Sequence, residues 1–182
     1  VGWLILEAQA DKITWLGESL GFWIQTGAFV LSAIAAVLVI YFNGRLARKK
    51  ATIDLILHQK RDADLLDSTR KVWALADKNG TFANLAQDTS SEDCKCILKV
   101  LNNHEFVALG IRKKAFNENI YKMSQCSNVM KVWRASDGFI REIRARESKS
   151  TLFQEFEWLA TRWDRSPISK ISHRPWWKTW ES

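Results

Sequence analysis

Phe22–Phe42 reads FWIQTGAFVLSAIAAVLVIYF, twenty-one residues without a charge, in which Gln25, Thr26 and Ser32 are the strongly polar side chains. As a helix rising 1.5 Å per residue it measures about 31 Å, close to the hydrocarbon thickness of a bilayer. Trp23 and Tyr41 stand near its two ends, where amphipathic rings favour the headgroup layer. The competing reading is a core helix of a soluble protein, which would have to hide an apolar surface on every side. The pattern therefore predicts a transmembrane helix over 22–43, preceded by a short outer segment, 1–21.

The flanks set a direction. Before the span stand Glu7, Asp11, Glu18 and Lys12, a net of −2; after it Arg45, Arg48, Lys49 and Lys50 put +4 between Gly44 and Lys50. Basic flanks stay on the cytoplasmic side. The basic junction, 44–50, thus reads as a stop-transfer signal, with the N-terminus outside a bacterial inner membrane and the bulk of the chain in the cytoplasm. A cleaved signal peptide would want a basic start and a shorter apolar run. In the outer segment Trp3, Leu6, Ala10, Ile13, Leu16 and Leu20 recur every three or four residues. They read as a short interfacial helix or as a frayed start. Val1 in place of Met leaves room for an upstream extension.

The rest of the chain is poor in breakers: Pro occurs twice and Gly eight times in 182 residues, which favours long helices. Ile53, Ile56, Ala63, Leu66, Trp73 and Ala76 keep helical spacing, and the first stop signal is Asn79-Gly80. A continuous rod from Phe22 to Lys78 would be about 85 Å long, with Gly44 as the place for a kink. Ser90 and Asp93 fit a capping box ahead of a stripe formed by Ile97, Leu101, Ala108 and Ile111. Asn117 can cap a further helix with Ile120, Met123, Met130 and Trp133 inward, bent or divided at Gly138 before Ile140 and Ile143. Leu152, Phe156, Leu159 and Trp163 mark the last one. The expected fold is all-α: one N-terminal transmembrane helix, then a four- or five-helix cytoplasmic bundle without strands over 51–164, then a basic Trp-rich tail, 165–182.

Few residues point to chemistry. Asp54, His58 and Asp62 lie one helical turn apart, but Lys60 and Arg61 are interleaved, and a charged helix surface is the simpler reading. Glu105 falls on the apolar stripe, where a carboxylate is costly unless paired. An ion pair with an arginine of another helix is the favoured expectation; a catalytic acid is the alternative. Cys94, Cys96 and Cys126 have no zinc-type spacing, so neither a metal nor a cofactor is expected. No phosphate loop, nucleophile elbow or HExxH motif occurs.

The tail mixes Trp176, Trp177 and Trp180 with Lys170, Arg174 and Lys178. It suits a membrane interface, packing onto the bundle through cation–π contacts, or stacking on single-stranded nucleic acid. From Ala51 onward twenty-two basic residues face seventeen acidic ones, an excess spread rather than clustered, as on a surface near anionic lipid. The partners expected are therefore membrane lipid and a second copy or another protein, with nucleic acid third.

"ATIDLI" at 51–56, "LNNHEFVALGIRKKAFNENIY" at 101–121 and "FEWLATRW" at 156–163 resemble a bacterial and phage family catalogued as a domain of unknown function, number forty-seven-sixty. The resemblance covers about 22–163 and takes in Glu105, Gly110 and Trp163. It implies a single-pass, helical, membrane-tethered protein and assigns no activity. The reading that follows is an interaction module at a cytoplasmic membrane face. A membrane-proximal enzyme with an acidic site around Glu105 and a basic nucleic-acid-binding module are the alternatives.

Overall fold

The computed structural model describes residues 14–15, 18–79 and 82–168. It divides into two compact units, Val1–Leu46 and Ala47–Ser182.

In the first unit β1 (Thr14–Trp15) and β2 (Glu18–Ser19) pair antiparallel, Thr14 opposite Ser19 and Trp15 opposite Glu18. β-branched Thr14 and aromatic Trp15 favour the extended chain. The stripe residues Trp3, Leu6, Ala10, Ile13 and Leu16 lie outside the described residues. α1 (Leu20–Arg61) follows, and its N-terminal part is long and apolar enough to cross a membrane. Among the described residues most of its apolar side chains are exposed: Leu31 is 68% and Ile40 72% exposed. Asn43 and Gly44 stay helical.

The second unit is built from the last turns of α1, α2 (Ala63–Asn79), a 3-10 turn at Ala83–Ala86, α3 (Glu92–Arg112), α4 (Glu118–Glu147) and α5 (Gln154–Arg165). The protein is all-α in this sense, a long apolar helix and a helical bundle. The expected rod to Lys78 is broken at Asp62. Its carboxylate accepts the Leu65 N–H at 3.0 Å and so starts α2 as a side-chain cap. α3 is capped by Ser91, which accepts the Cys94 N–H, one residue beyond the predicted Ser90; the Ser90 hydroxyl is instead donated to Asp88. Asn117 caps α4 by accepting the Ile120 N–H.

α4 is continuous for 30 residues and is not divided at Gly138. A Cβ there would stand 3.2 Å from the Ala83 side chain, so the glycine lets the 3-10 turn approach. The Phe82 N–H donates to the Ala135 carbonyl at 3.0 Å and holds that turn against α4.

Gln59 Nε2 donates to Asn103 Oδ1 at 3.1 Å, while Thr52 Oγ1 accepts the Asn117 N–H at 2.7 Å. These two contacts run α3 antiparallel to the end of α1 and bring the α3–α4 turn level with Thr52. The core holds Phe82, Tyr121, Phe139, Phe156 and Trp163, each fully buried. Ile97, Leu101, Ala108 and Ile111 all lie in that core. Three predicted positions do not: Ala63, at the first position of α2, is exposed, as are Ile53 and Met123. Ile53 is exposed because the stripe of α1 runs through Thr52 and Ile56. Met123 is exposed because α4 turns Tyr121 inward, and a residue two places on points about 200° away.

Candidate functional site

The acid–histidine–acid series does not assemble: Asp54 and His58 are exposed, and Asp62 is engaged as a cap. Glu105 is half-buried, and its partner is not an arginine. Its two carboxylate oxygens accept the N–H groups of Glu155 at 3.3 Å and Phe156 at 2.7 Å. These are free donors at the first turn of α5, whose own cap residue, Phe153, supplies no side-chain bond. Glu105 thus caps a helix fifty residues away in sequence. Burial raises its pKa, and the two backbone donors oppose that rise. Beside it Arg112 Nη1 grips both oxygens of Glu155, at 2.8 and 2.9 Å.

His104, the neighbour of Glu105, faces elsewhere. Its ring stacks on Phe156 with centroids 5.0 Å apart, and burial presses its pKa down to about 4. It borders a cavity of about 200 Å³ together with Gln59, Trp73, Asn103, Tyr121 and Gln125. Neither Glu105 nor His58 reaches this cavity, so the cluster that would favour an acid–base site is not brought together. Tyr121 donates to Gln59 Oε1 at 3.4 Å, and burial lifts its pKa to about 12. Among the described residues the buried indole N–H of Trp73 meets no acceptor.

A second concavity, about 640 Å³, is lined by Glu118, Lys122, Trp158, Arg162, Arg165 and Ser166. Arg162 Nε and Trp163 Nε1 both donate to Glu118 Oε1, at 2.8 and 3.1 Å. Burial would raise the Glu118 pKa, but these bonds and the charges of Arg162 and Lys122 outweigh it and hold the carboxyl below its ordinary value. The guanidiniums of Arg112 and Arg162 each stand over the Trp158 ring, 5.8 Å from its centroid.

Thr52 is fully buried; its hydroxyl donates to the Arg48 carbonyl at 2.7 Å while accepting from Asn117. Sequence reasoning missed both Thr52 and Glu118. A polar residue inside "ATIDLI", and an acid directly after the Asn117 cap, were the available signals.

Of the remaining predicted residues, Trp23 is half-buried against Phe22, and Tyr41 is exposed with Arg45 4.9 Å over its ring. Arg48 is half-buried, and Lys49 and Lys50 are exposed. Trp176, Trp177, Lys178 and Trp180 lie outside the described residues. Cys94 and Cys96 are both buried, and among the described residues no group of three acids, histidines or cysteines gathers as metal ligands.

The family model described as a domain of unknown function, DUF4760, matches residues 26–163. No curated protein and no solved structure matches the chain.

Proposed function

The chain belongs to the DUF4760 family, and from that premise we propose that it is a single-pass membrane-anchored interaction module working at the cytoplasmic face of a bacterial membrane. One observation carries the anchor. Among the described residues the apolar part of α1 is largely exposed, with Phe29, Leu31, Val37 and Ile40 each more than half exposed. Monomers rarely leave so large an apolar surface to water. The orientation rests on the basic residues Arg45, Arg48, Lys49 and Lys50 that follow the span. The resemblance to bacterial and phage proteins supports taking the membrane as the bacterial inner one. A second copy or a protein partner beside α1 belongs to the same proposal.

Accessibility of introduced thiols tests it in intact cells, after replacement of Cys94, Cys96 and Cys126. An impermeant reagent should label Gly2→Cys and spare Ser182→Cys; the reverse pattern overturns the orientation. Extraction of the chain by alkaline carbonate would remove the anchor itself. A mass in mild detergent that stays monomeric across a wide concentration range would remove the second copy.

A further inference from the structure

We propose that the cavity bordered by His104 and Trp73 is a binding site for a small uncharged nitrogen heterocycle, with the size and edge chemistry of a free nucleobase. The cavity lies wholly within the second unit, between the end of α1, α2, α3 and α4. The inference is therefore independent of the membrane anchor.

Unused hydrogen-bonding atoms are the first argument. His104 is only 8% exposed, and one face of its ring rests on Phe156. Among the described residues neither of its ring nitrogens enters a hydrogen bond, and burial alone sets its low pKa. Trp73 brings its indole N–H, which is likewise without an acceptor there. Asn103 spends its side-chain oxygen on Gln59, and Asn128 its nitrogen on Gln125, which leaves Asn103 Nδ2 and Asn128 Oδ1 unused. Four side chains from α2, α3 and α4 thus bring spare donors and acceptors to the lining of one cavity. Buried groups of this kind are normally satisfied.

Charge is the second argument. Among the described lining residues Lys60, itself exposed, carries the one charge. Burial keeps the His104 imidazole neutral, with a pKa of about 4, and the Tyr121 phenol neutral, with a pKa of about 12. Such walls do not offset the desolvation of an ion. They favour a guest that is polar but uncharged.

Size and surface are the third. A cavity of about 150 Å³ takes a benzene ring, and this one, at about 200 Å³, has room for a ring with its exocyclic groups. Trp73, Tyr121 and His104 offer aromatic faces of the kind on which bases stack. Asparagine carboxamides pair with the donor and acceptor edges of bases. A purely apolar ring would leave the spare polar atoms unsatisfied, and water would make no use of the aromatic faces. A flat heterocycle with adjacent donors and acceptors serves both.

The test uses the full chain in neutral detergent, with isotope-labelled tryptophan indoles read by magnetic resonance. The signal lost in Trp73→Phe is that of Trp73. Adenine and uracil are titrated separately, with adenosine monophosphate as the charged comparison. Either base should move the Trp73 N–H signal saturably. Asn128→Leu keeps the size of the side chain and removes the acceptor, and should weaken base binding about tenfold, the weight of one hydrogen bond. Trp73→Phe, which keeps a ring without the N–H, should do the same when binding is read from the proton signals of the base. A Trp73 signal that neither base moves overturns the site. Equal affinity in wild type, Asn128→Leu and Trp73→Phe overturns recognition by these polar groups. Tighter binding of the monophosphate than of adenine overturns the uncharged ligand in favour of a nucleotide.

Discussion

Glu105 shows how a single carboxylate can be structural without an ion pair. Its acceptor oxygens replace the missing cap of α5, a role whose loss costs about 1–2 kcal/mol, less than the 3–5 kcal/mol of a broken buried ion pair. Glu105→Ala should destabilise the fold by that amount, read as a lower melting temperature, and Glu105→Gln, which keeps one acceptor oxygen, by less. Thermal unfolding in mild detergent, followed by tryptophan emission, checks the order. Equal melting of wild type and Glu105→Ala would show that α5 starts without this cap. Glu105 was legible as an inward residue because its neighbours Leu101 and Ala108 keep helical spacing. Its partner was not, since backbone N–H groups fifty residues away leave no mark in a local pattern.

At the scale of elements, the α3–α4 corner rests on Gly110. A Cβ there would come within 2.3 Å of the Phe116 ring, which in turn packs edge-on to Phe106. Alanine is otherwise about 1 kcal/mol better than glycine inside a helix. In a Phe116→Ala background, Gly110→Ala should therefore stabilise by about 1 kcal/mol, while with Phe116 present the ring must move and the gain shrinks or reverses. A double-mutant cycle on melting temperature measures the difference; equal effects in both backgrounds would show that the ring does not crowd position 110.

The elements themselves were largely readable, because each of α3, α4 and α5 has a cap or a regular stripe within its own sequence. The division between α1 and α2 was not. Arg61-Asp62-Ala63 contains no glycine or proline, and Asp62 looks like one more surface charge until its oxygen is seen capping Leu65. Thr52 was hidden for a similar reason. Burying a hydroxyl is favourable only with both partners in place, and one of them, the Asn117 N–H, arrives from another helix.

For the whole molecule, pH should be a strong lever. Folding holds His104 neutral with a pKa of about 4, against 6.5 in the unfolded chain, so between these values the unfolded state binds the extra proton. The stability this secures is complete above pH 6.5 and is lost as pH falls toward 4, on the order of 3 kcal/mol. Glu118, with its lowered pKa, acts in the same direction at lower pH: its contribution is present above 4.5 and lost as pH falls through the folded value. Glu105 works the other way, its raised pKa favouring the fold below 4.5 and less as pH rises through the folded value. Melting temperature should drop between pH 6.5 and 4, and His104→Phe, which keeps a ring against Phe156, should flatten that drop. The same slope in both proteins would assign the acid sensitivity elsewhere.

The cap that α5 borrows from α3 also sets an order in time. A helix of twelve residues is too short to persist alone in water, and its first turn has no side chain of its own to close it. α5 must then wait for α3 to be in place before it can start. Whatever opens α3 releases α5 with it, so the amide protons of the two helices should exchange as one cooperative unit.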